Sequence, residues 1–126
     1  MIRPALPDEA PILKGLLLEN NLGIDGLTYE RFSQPCLVYV REGEVVGFIQ
    51  AIPAEPYAII TECAVARAHH GKGYGVRLLE HMETVLRMYG CGAVATFTGE
   101  KNPVKEQLEG CGMRTTGYGA ALVKAL

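Results

Sequence analysis

Glycines stand at alternate positions 71, 73 and 75, inside a stretch that carries base but no acid. From Cys63 to Leu79 there is no Asp or Glu, while Arg67, His69, His70, Lys72 and Arg77 all fall in that window. Such a segment suits a polyanion. Glycine lets the backbone approach a ligand closely and take positive φ. The apolar run Tyr57 to Val65 ahead of the glycines reads as a strand, and the amphipathic stretch after them reads as a helix. The first N–H groups of that helix have no intrahelical acceptor and point outward, and the helix dipole adds partial positive charge at the same end. A strand, a glycine loop and a helix N-terminus in succession is therefore a phosphate cradle.

Two common phosphate motifs are excluded by spacing. No Gly-x-x-x-x-Gly-Lys-Ser/Thr occurs, and the dinucleotide fingerprint begun by Gly71 and Gly73 fails at Val76, where it needs glycine. The hexapeptide His70-Gly71-Lys72-Gly73-Tyr74-Gly75 instead resembles motif A of the GNAT-type N-acetyltransferases, Arg/Gln-x-x-Gly-x-Gly/Ala. Val65, five residues upstream, also agrees with that family, and His70 departs from it. A looser similarity lies at Lys101 to Met113, where Gly112 fits but Lys101 and Leu108 replace the usual Asn and Tyr.

The resemblance implies a cosubstrate and its seat. Acetyl-CoA would rest its pyrophosphate on the backbone amides of His70, Gly71, Lys72, Gly73, Tyr74 and Gly75. Its pantetheine arm would pair with Cys63, Ala64 and Val65 on the open edge of the fourth strand, next to an oxyanion site. The reaction implied is acetyl transfer to a primary amine by direct attack in a ternary complex. The amine must lose a proton, and Glu62 is the leading candidate for the base, with Glu55 and Tyr57 behind it. Side chains alternate on a strand, so Glu62 faces either the cleft or the other side, under the helix or toward a partner in a homodimer. The family's acidic tyrosine aligns with Leu108, which leaves Tyr118 and Tyr74 as acid candidates through space. Two rival readings stay open: an acyl-CoA-binding regulatory module of the same fold with little turnover, and a nucleotide-binding domain of another family.

The elements that must position these groups follow from periodicity and punctuation. Ile2 to Ala5 reads as a strand and Asp8 to Asn20 as a helix, with Pro11 in its first turn and Ile12, Leu13, Leu16 and Leu17 as its buried stripe. Thr28 to Phe32 reads as a helical turn. Cys36 to Arg41 and Val45 to Ile52 form a hairpin around Glu42-Gly43, with Gly47 marking a bulge or a close approach. Pro53 and Pro56 break the chain before the strand Tyr57 to Val65. The helix after the glycine loop covers Gly75 to Tyr89, with Val76, Leu79, Met82 and Leu86 on one face and Leu78, Val85 and Tyr89 beside them; Glu83 and Arg87 pair on its solvent side, and His81 is solvated. A strand at Ala93 to Thr98, a helix opened by Asn102-Pro103 and closed at Gly110, and a hairpin from Met113–Gly117 to Ala120–Ala125 complete the chain.

This order predicts an α/β (α+β) fold. It is one GNAT-like domain over residues 1–126, a mixed, mostly antiparallel sheet of six to seven strands splayed between the fourth and fifth, flanked by about four helices. Composition agrees. The 126 residues suit one domain, 48% of them are hydrophobic, and the net charge of −2 supplies no field for nucleic acid. No apolar run is long enough to cross a membrane, and the N-terminus reads as having no signal peptide. Cys36, Cys63, Cys91 and Cys111 show no Cys-x-x-Cys spacing, so neither a zinc site nor any other metal is expected, and unpaired thiols point to the cytoplasm.

Overall fold

The computed structural model describes residues 1–20, 35–97, 114–115 and 121–126. Among these residues seven strands form a single sheet in the order β1-β2-β3-β4-β5-β7-β6. They are β1 (Ile2–Pro4), β2 (Cys36–Arg41), β3 (Glu44–Ala54), β4 (Tyr57–Val65), β5 (Ala93–Phe97), β6 (Arg114–Thr115) and β7 (Ala121–Ala125). All neighbours are antiparallel except β4 and β5. Two α-helices lie among the described residues, α1 (Ala10–Glu19) and α2 (Tyr74–Met88), each preceded by a 3-10 turn, Pro7–Glu9 and Arg67–His69. The expected elements at 28–32 and 102–110, and the turn at Tyr118-Gly119, fall outside the described residues.

Each sheet face carries one apolar cluster. On one face α2 packs Leu78, Leu79, Met82 and Leu86 over Ile49, Ala51, Ala58, Ile60 and Val94. On the other, α1 lays Leu13, Leu16 and Leu17 on Val38, Phe48 and Ala64. Each large side chain so buried contributes about 1.5–3 kcal/mol against chain entropy. The α1 stripe differs from expectation: Ile12 is 47% exposed and Ala10 takes the buried place. The first expected helical turn is the separate 3-10 turn, so α1 starts at Ala10 and its inward face runs through residues 10, 13, 16 and 17.

The β2–β3 hairpin turns at Glu42 and Gly43, both at positive φ (52° and 80°), the conformation that matches strand twist. Gly47 sits beside a bulge in β3, where Tyr39 pairs Gly47 but Val40 pairs Val45. A Cβ on Gly47 would lie 3.2 Å from both the Ala64 carbonyl oxygen and Val65 Cγ2, so this glycine makes room for the end of β4. Pro53 does not end its strand, because β3 continues to Ala54 and the chain reverses at Glu55-Pro56. Glu83 corrects another expectation. It is buried on α2 and its near partner is Lys124 of β7 at 2.7 Å, with Arg87 at 4.0 Å. The ion pair ties helix to sheet rather than decorating the solvent side.

Candidate active site

The parallel ladder between β4 and β5 runs from Tyr57↔Ala93 to Ile60↔Thr96 and stops. At the next residue β4 bulges. Gln50 of β3 pairs Glu62 while Ala51 pairs Ile60, which leaves Thr61 as the extra residue, its hydroxyl donating to the Gln50 carbonyl at 3.3 Å. A bulge bends and twists its strand. The bend thus coincides with the parting of β4 from β5, and a cleft opens along residues 61–65.

Which backbone groups face that cleft is set by the hydrogen-bond phase of the β3–β4 ladder. Ala66 donates its N–H to Val46 at 2.8 Å. Bonded and non-bonded pairs alternate in an antiparallel ladder, so Ala64/Phe48 and Glu62/Gln50 are the bonded pairs, while Cys63 and Val65 turn their N–H and C=O groups to the edge away from β3. Of the three residues expected along the pantetheine arm, Cys63, Ala64 and Val65, Ala64 has its backbone turned into the sheet.

Beyond Val65 the chain makes the Arg67–His69 turn and enters α2 through a loop with two left-handed glycines, Gly71 (φ 77°) and Gly73 (φ 80°). Gly73 is the N-cap of α2. Among the described residues, none of the amides of residues 71 to 76 reaches a backbone acceptor. Gly71, Lys72, Gly73, Tyr74 and Gly75 therefore form a row of donors at the positive end of a 15-residue helix. His70 departs from its expected role. Its amide donates to the Arg67 carbonyl at 3.2 Å, and its ring Nε2 lies 2.7 Å from the Val65 carbonyl oxygen. The residue braces the loop with its side chain instead of offering its N–H.

The basic side chains divide. Arg67 and Lys72 are exposed beside the loop. Arg77 reaches back to donate to the Tyr39 hydroxyl at 2.9 Å. Tyr74 is 3% exposed, stacks on Tyr39 with ring centroids 4.2 Å apart, and accepts a hydrogen bond from Arg41. Its amide belongs to the donor row while its phenol is directed toward β2, so its side chain is not placed as an acid for the cleft. Tyr118, Lys101 and Leu108 lie outside the described residues.

Glu62 shares a sheet face with its register partner Gln50, on the side of α1 and opposite α2, and it is half-buried. The reading that it sits under α2 is thereby removed. Gln50 is 1% exposed, and its polarity in the apolar run of β3 was the one sequence signal that something on this face needs a partner. Thr61 and Asn20, which shape the same junction, gave no comparable signal.

A profile of the Acetyltransferase (GNAT) family matches residues 8 to 107. No curated protein sequence matches the chain. Among solved structures, Ard1 from Thermoplasma volcanium superposes with a TM-score of 0.85 at 18% identity, over 100% of this chain and 97% of that one. The PaiA N-acetyltransferase from Thermoplasma acidophilum, in complex with coenzyme A, gives 0.81 at 15% identity over 100% and 98%. Ribosomal-protein-alanine N-acetyltransferase from Brucella melitensis gives 0.80 at 21% identity over 100% and 99%. At these identities the superpositions speak for the fold, a mixed sheet parted between its two parallel strands. With that fold in place, and with most of the sequence inside the family profile, the chain belongs to the GNAT acetyltransferase family.

Proposed function

We propose that this protein is an N-acetyltransferase that moves an acetyl group from acetyl-CoA to a primary amine by direct attack within a ternary complex. The observation that carries the reading is a continuity. The edge of β4 away from β3, which among the described residues pairs with no strand beyond Ile60, leads straight into the amide row of residues 71 to 75 at the start of α2. Edge and row match a ligand with an extended amide-bearing arm at one end and a pyrophosphate at the other. Coenzyme A is such a ligand, and the PaiA structure with coenzyme A supports the assignment. No metal is needed by this chemistry.

The direction of attack follows from packing. The α2 face of the sheet at Ile60 is filled by Leu78, Leu79 and Met82, so the amine approaches from the opposite face. Glu62 is on that face, immediately after the bulge, and is the proposed base. It accepts the ammonium proton; the amine nitrogen attacks the thioester carbonyl, the C–S bond breaks, and coenzyme A leaves as thiolate. Tyr118 is the proposed proton donor to that thiolate. Holding the two reactants together supplies much of the rate, so a strong acid is not essential. The reading further places residues 1–126 in one catalytic domain and the protein in the cytoplasm.

Thiol release from acetyl-CoA, measured across a panel of protein N-termini, lysine peptides, polyamines and small amines, tests the proposal. Amine-dependent release is expected for at least one class. Tight acetyl-CoA binding with no release from any amine would favour the regulatory module instead, and the absence of acetyl-CoA binding would sink both.

A further inference from the structure

The carbonyl of Val65 is the last one on the open edge of β4, and two side chains converge on it. Asn20 Nδ2 donates from 3.0 Å and His70 Nε2 lies at 2.7 Å. Asn20 is the C-cap of α1, and the same Nδ2 also donates to the Leu16 carbonyl at 2.8 Å. One residue earlier, Glu19 Oε1 accepts the backbone N–H of Arg67 at 2.8 Å. The end of α1 is thus fastened to the junction between β4 and the glycine loop, across 45 residues of sequence.

A carbonyl oxygen offers two lone pairs, and both are taken here. We infer that Asn20 and His70 are positioning residues that close the Val65 carbonyl to the cosubstrate, so that the pantetheine arm is read at Val65 through its N–H alone. This deepens the proposed acetyl-CoA site and rests on it. With the carbonyl occupied, an arm amide that pairs here has one register, its own carbonyl on the Val65 N–H. The next stretch of ligand must then leave the strand for the loop amides. With one donor removed the other still bars an arm N–H, but the arm then covers a lone pair left unsatisfied, which weakens binding without moving the thioester. A carbonyl oxygen only accepts, so Nε2 carries the proton in this contact.

The test compares Asn20→Ala, His70→Ala and His70→Gln with the parent chain by calorimetric titration with acetyl-CoA, steady-state kinetics on an accepted amine, and melting temperature. Glutamine retains an amide donor of similar reach. Losing one donor is expected to weaken acetyl-CoA affinity, and raise its KM, about 3- to 10-fold. Turnover at saturation should stay near the parent value, and His70→Gln should return to within about twofold of the parent. Unchanged affinity in both His70→Ala and Asn20→Ala overturns the inference. So does an equal loss in His70→Ala and His70→Gln, or a lower melting temperature with KM unmoved. If Asn20→Ala fails to fold, the His70 pair still decides, because that side chain is exposed. Acetyl-CoA binding by the parent is the control. No binding there fails the functional reading itself, whereas parent binding that no variant alters fails the brace alone.

Discussion

From Tyr57 to Ile60, β4 has a strand on each side; from Thr61 to Val65 it pairs, among the described residues, with β3 only. Both halves are rich in small or β-branched residues, and the second also carries Glu62. They differ in what their backbone groups are used for. In the first half the backbone pairs on both sides and alternate side chains serve the core: Ala58 and Ile60 are 0% and 6% exposed under α2, while Tyr57 and Ile59 face outward. In the second, one edge is turned to a cleft and the side chains are half-buried except Ala64. One strand thus holds the structure with one half and lines the proposed site with the other, and the Thr61 bulge is the boundary. Substitutions in the first half should be felt as stability, and those in the second, or in the loop it feeds, as binding or rate.

The largest expected effect sharpens that division at its boundary. Glu62→Gln keeps the shape and removes the proton acceptor. If Glu62 is the base, turnover falls about 10²- to 10⁴-fold while acetyl-CoA affinity and melting temperature stay near the parent. The deficit should shrink at high pH, where the amine is already deprotonated. Normal turnover per folded molecule, with a lowered melting temperature, would return Glu62 to a structural role.

Next comes the loop. Gly73 holds φ at 80°, and a Cβ there meets nothing within 4 Å among the described residues, so Gly73→Val acts through backbone strain and the space it fills. It costs about 1–3 kcal/mol in backbone strain and places a branched side chain where the pyrophosphate is proposed to sit. Calorimetry should find acetyl-CoA binding abolished in a folded protein; retained affinity would move the phosphate elsewhere.

The first half of β4 supplies the converse. Ile60→Ala removes a buried side chain beneath α2 and should lower stability by about 2–5 kcal/mol, read as a drop in denaturation midpoint. Turnover per folded molecule should change little. A large loss of turnover with stability intact would erase the contrast between the halves.

Smaller effects probe charge. Lys72 and Arg67 are exposed beside the amide row, so acetyl-CoA affinity should weaken as salt shortens the Debye length from ~10 Å to ~3 Å. Lys72→Ala should flatten that slope. A flat slope in the parent would leave the basic cluster as a solvated face. Smallest is a pH effect on the anchor of α1. Bidentate hydrogen bonds from Arg3, at 2.8 and 2.7 Å, hold the Glu9 carboxyl below its ordinary value against the opposing effect of burial, helped by the Leu6 N–H. A carboxyl lowered in the folded state adds stability that is present above its unfolded pKa of about 4.3 and is lost as pH falls through the folded value. Melting temperature should therefore hold from pH 7 to about pH 5 and decline below, with a shallower decline in Glu9→Gln.

Much of the site was legible in the sequence because it is contiguous. Gly71, Gly73 and Gly75 with a strand before and a helix after specify a glycine loop that opens a helix N-terminus, and every partner in that statement lies within a few residues. The order of strands and helices was legible for the same local reasons of alternation, 3.6-residue periodicity and turn residues. What the tertiary structure decided is where groups far apart in the chain meet. The register of β3 on β4, with one extra residue at Thr61, determined that Cys63 and Val65 face the cleft and Ala64 does not. That phase is a property of the pair of strands, and a shift of one residue reverses it. The same holds for the burial of Glu83, which depends on Lys124 arriving from β7, and for Asn20 and His70 meeting on the Val65 carbonyl. A hydrogen bond needs its two atoms within about 3 Å, and for partners 41 and 45 residues apart only the folded sheet sets that distance.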